Sequence, residues 1–494
     1  SLCCRCSCWR SASRVDGSRL VAVAKVVVLG AGLSGLASAA LLAQAGHEVT
    51  VLERNSWLGG KSRRIELAGQ RMDTGPALVT FPEVWQQFLD TFDSLGSLKS
   101  KDHAALSFTK LREVGRYYLR DEVTDLPVKP GHAWHEAWSR FAKQHDALTP
   151  SISKLLTSSP LDPKAFPALI NMSKTYGFRL TTASYLKSLR YLPASLKEVI
   201  SIHTLNAGVS PKRSLALYAS MTASMASQGI SVPVGGVNEI ALALSRLAVA
   251  AGATIKLDTA VKRIHARYVE TNDATFTFDH LVSSLDPGVL KSLQTGKPNR
   301  VAKHRSCSGV AIYAVLKKPL GDDVVTHSVI MPDDANELHK SLDAATPPRQ
   351  TMTFVNYYRA GEIYPNTKDT VAVLLTAPAD GKKYDLNSEW VRRELDRVSE
   401  KLGLKQPIDE LFEAYEILNP DYFAQFGAAG GALYGATTPL WQSGPFHNPQ
   451  YHNPFRPRLW RVGASVHPGG GIPAVLGGTL IASRAMLKKF AKNS

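Results

Sequence analysis

Residues 25–53, KVVVLGAGLSGLASAALLAQAGHEVTVLE, constrain the fold more than any other stretch of the chain. Val26, Val27, Val28 and Leu29 form an uninterrupted apolar run. Such a run suits a strand covered on both faces of a parallel sheet. It ends in Gly30, Gly32 and Gly35, spaced G-x-G-x-x-G. The three glycines serve a tight turn, a close backbone approach to a pyrophosphate, and close packing of helix on strand. Residues 33–45 predict a helix, with Leu33 and Ser34 in its first turn and Gly46 just beyond its end. Its free N–H groups and positive dipole end suit a phosphate. Residues 47–52 predict the second strand. Glu53 closes it, eighteen residues after Gly35, where a carboxylate accepts from ribose hydroxyls. The order strand, glycine turn, helix, strand, acid implies a dinucleotide with a free 2′-hydroxyl, which argues against NADP. It does not separate FAD from NAD.

The next residues do. Arg54 follows the acid, then Gly59-Gly60-Lys61 and Met72-Asp73-Thr74-Gly75-Pro76. This resembles the second half of the FAD signature of the amine oxidase and phytoene desaturase superfamily, written GG[RK] and D-x-G. Paired glycines there let the backbone approach the flavin's phosphates and ribityl chain, and the resemblance implies FAD.

At 494 residues the chain predicts two or three domains. Its formal net charge of +16 calls for an anionic partner. No nucleic-acid module is readable, so an anionic membrane surface is the expected one. Of the five cysteines, Cys3, Cys4, Cys6 and Cys8 crowd the start and Cys307 stands alone. No pair lies beside the fingerprint, which excludes a disulfide-reductase mechanism. With no second ligand pair for the C-x-x-C at Cys3 and Cys6, no metal site is expected.

Residues 1–24, rich in Arg and Ser, predict an unstructured arm. Residues 82–95 predict a helix, and 106–126 contain strand-like pieces. From 131 to 226 the pattern is helical. Within 151–200 seven Lys or Arg and two acids interleave with Leu, Ile, Tyr and Phe, and Tyr185 to Leu192 (YLKSLRYL) is a compact case. Such a stretch reads either as an ordinary amphipathic face or as a membrane-dipping surface. A helix is expected over 240–249, then strands over 254–257 and 260–264. Residues 301–316 and 371–378 predict further strands, and 387–402 a helix.

The C-terminal stretches GGALYGATTPLWQ (430–442) and LWRVGASVHPGGGIPAVLGGTLIASRA (459–485) carry the most specific pattern. Together with the opening fingerprint and Gly235-Gly236 they resemble the bacterial-type phytoene desaturase family of carotenoid desaturases. That family carries G-A-x-x-H-P-G-x-G-[IV]-P-G-V here; Ala474 replaces the last glycine, and Ser284-Leu285-Asp286 replaces a usual N-A-D.

The resemblance implies an α/β fold: a Rossmann-like FAD-binding domain (25–84, 229–296 and 456–494) with an inserted α+β substrate domain and a helical membrane-associating part (85–228 and 297–455). It implies cofactor contacts from Gly30, Gly32, Leu33, Ser34, Gly35, Glu53, Arg54, Gly59, Gly60, Lys61, Gly75 and Pro76. Val261 would meet the adenine through its backbone, and Gly463, Ala464, Gly470, Gly471, Ile472 and Pro473 would meet the flavin. It implies desaturation of a long isoprenoid polyene, quinone or O2 as electron acceptor, and a cytoplasmic enzyme peripheral on the inner face of the membrane. The catalytic group stays unassigned. His467, Lys197 and Glu198 are candidates, although Arg is usual at position 197. The alternatives are a flavin amine oxidase, a flavoenzyme that isomerises, saturates or oxygenates carotenoids, and a non-enzymatic escort of prenylated proteins.

Overall fold

The computed structural model describes residues 23–492 except 112, 300–301, 428, 438, 443–446 and 448. The arm at 1–22, with Cys3, Cys4, Cys6 and Cys8, lies outside the described residues, and so does Thr438 of the C-terminal pattern.

A six-stranded sheet runs in the order His452–Asn453, Arg456–Arg461, His280–Ser283, Lys25–Leu29, Glu48–Leu52, Thr254–Lys256. All neighbours are parallel except the first pair. The apolar run behaves as its composition requires. Val26 and Val28 face one core, and Val27 and Leu29 face another on the opposite side. On the first side lies helix Leu33–Gln44, packed on helices Asn238–Ala250 and Ile472–Lys492. On the second lies a three-stranded antiparallel sheet, Val261–Ile264, Tyr268–Thr271 and Thr275–Thr277. Residues from the start, middle and end of the chain therefore share one sheet.

A second sheet has seven strands in the order Phe412–Leu418, Ser308–Leu316, Thr370–Ala377, Thr353–Tyr358, His327–Ile330, Gly115–Leu119, Glu122–Leu126. Only His327–Ile330 and Gly115–Leu119 pair in parallel. One face packs on the amphipathic helix Glu389–Lys401 through Trp390, Val391, Leu395 and Val398. The other face, through Ala311, Tyr313 and Ala372, meets Ile65 and Met72 next to the D-x-G segment. Between strand Glu122–Leu126 and helix Asn238–Ala250 in sequence lie helices His135–Asp146, Thr149–Leu156, Phe166–Tyr176, Thr182–Ser188, Ala194–Ile202 and Leu217–Gln228.

One local expectation differs from the structure, and one open alternative is narrowed by it. The strand expected from 301 begins at Ser308, where continuous pairing with Thr370–Ala377 starts. The stretch from Tyr185 to Leu192 is not an outward apolar surface: Tyr185, Leu186 and Leu192 are core residues. Periodicity identified the amphipathic character but not the direction of its apolar side. No described helix is long and apolar enough to cross a membrane.

Candidate functional site

The site is built where four glycine-bearing segments meet at the C-terminal ends of the parallel strands, the usual ligand position in such sheets. Gly30 has φ +90°, a left-handed value that favours glycine. A Cβ on Gly35 would lie 2.0 Å from the Gly30 carbonyl oxygen, so only glycine lets the helix sit this close to the strand. Gly32 differs. It is the N-cap of Leu33–Gln44, makes no side-chain cap, and a Cβ there would meet nothing within 4 Å. The opening thus lies at the first turn of the helix, which carries no acid of its own.

Glu53 is buried at the end of its strand. One carboxylate oxygen accepts from the Ala31 N–H at 2.8 Å, and the other from the backbone and side-chain nitrogens of Asn55. A carboxylate has about four acceptor positions, so capacity remains for ribose hydroxyls. Arg54 donates to the Gln425 carbonyl. Val261 opens the strand on the far side of the sheet, shortly after Thr259, whose N–H donates to the Glu53 carbonyl.

The paired glycines lie directly against the fingerprint. Gly59 bridges Gly32, and a Cβ on Gly60 would stand 3.3 Å from the Gly32 Cα. Lys61 then crosses to the C-terminal segment, donating to the Leu433 carbonyl at 2.5 Å. Burial lowers its pKa to about 8, with the Asp286 carboxylate acting to raise it. Burial in turn raises the Asp286 pKa, against the Gly288 N–H and Lys61, which lower it. Gly75 packs on the Lys61 carbonyl and donates its N–H to the Tyr313 hydroxyl at 3.3 Å, ahead of Pro76.

The end of the chain closes the site. Gly463 has φ +103°, and a Cβ there would lie 3.1 Å from the Ser34 Oγ. Ala464 follows it. Gly470 packs on Tyr434, whereas Gly469 and Gly471 have left-handed φ and open space where a Cβ would be. Ile472 and Pro473 begin the helix Ile472–Lys492, which has no acid in its first turn. The openings at Gly32, Gly469 and Gly471, with a buried acid beside the first, fit an extended dinucleotide.

The proton-transfer candidates are placed apart. His467 lies inside the C-terminal motif. Its ring is buried, and burial, with a smaller contribution from His447, lowers its pKa to about 4 against the Ser158 and Leu155 backbone, which act to raise it. Its carbonyl accepts from the Tyr451 hydroxyl at 2.5 Å. Glu198 is taken up by an ion pair with Arg120 at 3.0 Å, on the helix Ala194–Ile202 that also carries Lys197. That helix packs on strand Gly115–Leu119, and neither residue has a described contact with the glycine segments.

Sequence reasoning left out an ionic cluster that ties the segments together. Arg64 contacts Asp73 at 2.8 Å and Glu239 at 3.0 Å, and Asp73 also accepts from the Asn238 N–H. A Cβ on Gly236 would lie 2.2 Å from Asp73 Oδ2, and Gly235 has φ +91° with a Cβ position 3.1 Å from the Glu239 Cγ, which together account for the Gly235-Gly236 pair. The signal available was an unassigned Asp73 inside the D-x-G motif.

The profile of the flavin containing amine oxidoreductase family matches residues 33–486. A Staphylococcus aureus (strain MRSA252) protein named 4,4′-diapophytoene desaturase (4,4′-diaponeurosporene-forming) is 26% identical over 94% of this chain and 99% of its own. The protein of that name from strain Newman is 25% identical over 95% and 99%. Among solved structures, putrescine oxidase bound to putrescine is similar at TM-score 0.64 and 15% identity, over 95% of this chain and 99% of that one. Cyclohexylamine oxidase from Brevibacterium oxydans is similar at 0.60 and 14%, again over 95% and 99%. These structural likenesses establish the fold, a mixed α/β architecture of the amine oxidase type. The chain belongs to the flavin-containing amine oxidoreductases, and its cofactor is FAD.

Proposed function

We propose that this protein desaturates a long isoprenoid polyene of the diapophytoene or phytoene class. The observation that carries the reading is end-to-end similarity to proteins named 4,4′-diapophytoene desaturase, covering 94% of this chain and 99% of theirs. The chain's own chemistry supports it. After Asp421 there is no Asp or Glu through Ser494, so the C-terminal wall has no carboxylate to pair with an ammonium substrate. An unpaired buried charge costs several kcal/mol, on the order of the loss on breaking a buried ion pair. A hydrocarbon incurs no such cost.

In this reading Gly30, Gly32, Leu33, Ser34 and Gly35 hold the pyrophosphate, and Glu53 and Arg54 the adenosine end, with the Val261 backbone at the adenine. Gly59, Gly60, Lys61, Gly75 and Pro76 follow the ribityl chain. Gly463, Ala464, Gly470, Gly471, Ile472 and Pro473 bracket the flavin ring. Desaturation removes a hydride and a proton from neighbouring carbons, and bound FAD supplies the hydride acceptor. The chain's task is to align the polyene, exclude water and receive the proton. His467 is unprotonated at neutral pH, because burial lowers its pKa to about 4. With so low a pKa it is a weak base, so its burial argues against His467 as the group that receives the proton.

The same reading divides the chain into an FAD-binding part (25–84, 229–296, 456–494) and a substrate-binding part (85–228, 297–455). It places the enzyme on the cytoplasmic face of a membrane, with quinone or O2 taking the electrons. Expression in cells that accumulate diapophytoene or phytoene tests it. Coloured products of extended conjugation are expected; unchanged colourless polyene beside flavin-loaded protein would refute it.

A further inference from the structure

The helix Phe166–Tyr176 is apolar on two sides. Ala168, Met172 and Tyr176, at i, i+4 and i+8, are buried. On the other side Phe166, Leu169 and Ile170 are exposed, at 51%, 40% and 54%. Leu161 before the helix is 72% exposed, and Phe178 and Leu180 after it are 102% and 67%. Among the described residues thirteen large hydrophobic side chains are exposed, and six of them fall within these twenty positions. Scattered exposure needs no explanation, but such a concentration marks an interaction surface.

The charges around the patch indicate what covers it. Lys164, Lys174 and Arg179 are exposed within the same stretch. Its single acid, Asp162, is engaged locally, accepting from the Lys164 N–H. Apolar side chains ringed by cations match a bilayer whose headgroups are anionic. A second copy of the chain fits less well, since a self-complementary contact would bring these cations toward their own copies.

We propose that the segment from Leu161 to Leu180 docks this protein on an anionic lipid bilayer, with Phe166, Ile170 and Phe178 inserted and Lys164, Lys174 and Arg179 at the headgroups. This deepens the proposed function by naming the surface from which a lipid-dissolved substrate is taken. The docked helix is one layer from the site: it packs on Thr149–Leu156, whose Leu156 carbonyl lies 2.1 Å from where a Cβ on Gly477 would be, in the C-terminal flavin helix.

Flotation of the full-length, FAD-loaded protein with phosphatidylcholine vesicles, with and without phosphatidylglycerol, tests the docking. Wild type is expected to float with the anionic vesicles and to release as salt rises. Phe178→Ser and Ile170→Ser should each lower the partition coefficient roughly tenfold, with flavin content unchanged. Val249→Ser, at a 57% exposed position outside the segment, should float like wild type. Equal flotation of the Phe178 and Ile170 variants with wild type would overturn the proposal. So would a dimer in sedimentation equilibrium that Phe178→Ser dissociates, since the patch would then belong to a second copy. Turnover of a detergent-dispersed polyene separates this proposal from the activity. Variants that turn over in detergent but do not float support both. A wild type that floats through this patch yet turns over no polyene refutes only the desaturase reading.

Discussion

The glycine-lined site and the helices between 135 and 228 handle buried polar groups in opposite ways. Around the parallel sheet, the first turn of Leu33–Gln44 has no side-chain cap, and Gly32, Gly469 and Gly471 leave open the space that side chains would fill. In the helical region polar side chains satisfy one another inside the core. His145 Nδ1 meets the Ser220 Oγ at 2.6 Å, its Nε2 meets the Tyr185 hydroxyl at 2.9 Å, and the Tyr176 hydroxyl bonds to the same Ser220. In the proposed reading one region keeps its hydrogen-bonding capacity for the cofactor, while the other uses it to fix helix packing. Substitutions in the two should therefore separate binding from stability.

The largest contrast lies within the fingerprint itself. Gly35→Val puts side-chain atoms into the Gly30 backbone carbonyl, which cannot move aside as a flexible side chain could, and should destabilise the fold by about 3 kcal/mol or more. Gly32→Val meets open space, so the apoprotein should keep its melting temperature while FAD binding is lost. Thermal melts and flavin release on denaturation read the two effects separately. Equal loss of stability in both variants would erase the contrast.

In the helical core, His145→Phe leaves the Tyr185 hydroxyl without its buried partner, while Ser220 keeps the Tyr176 hydroxyl. The expected cost is about 1–3 kcal/mol for the group left unsatisfied, in denaturant unfolding, with FAD affinity retained. A fall in affinity matching the fall in stability would show that the two regions are not separable.

Acid should act on both regions, since His280 in the parallel sheet and His467 at the site are shifted down like the histidines of the helical core and the second sheet. His145, His203 and His327 are almost fully buried, and burial lowers each pKa from 6.5 to about 4. Above pH 6.5 both folded and unfolded states hold them neutral. As pH falls from 6.5 to 4 the unfolded chain binds protons that the folded one does not, so stability falls. Each histidine contributes up to about 1.4 kcal/mol per pH unit in that window. Unfolding free energies at pH 7, 6 and 5 check this, and a flat profile would contradict it.

Lys61→Met probes the smallest effect. It removes the donor to Leu433 O that links the second glycine segment to the C-terminal one. A loss of about 1 kcal/mol in FAD binding, roughly fivefold in affinity, is expected by flavin fluorescence titration. Unchanged affinity would confine Lys61 to holding the two segments together.

The nucleotide side was legible because its rules are local and concern the backbone. Gly35 must be glycine for a reason five residues away, and Glu53 must follow its strand. What was not legible depends on which surfaces meet. The Arg64–Asp73–Glu239 cluster joins residues from two distant segments, and no local pattern announces it. The stretch from Tyr185 to Leu192 and the helix Phe166–Tyr176 both carry apolar residues beside cations. The first turns its apolar residues inward, while the second, already anchored by Ala168, Met172 and Tyr176, has apolar residues left over for the outside. Periodicity reports that a helix has faces; packing decides which of them is covered.

The central claim is that an apolar polyene, and not an amine, is oxidised against the flavin. The most direct measurement is anaerobic mixing of the FAD-loaded protein with diapophytoene in anionic liposomes or, separately, with putrescine, while flavin absorbance is followed. The account predicts bleaching of the flavin by the polyene with appearance of a longer conjugated product, and no bleaching by the diamine. Rapid bleaching by putrescine with no response to the polyene would contradict it.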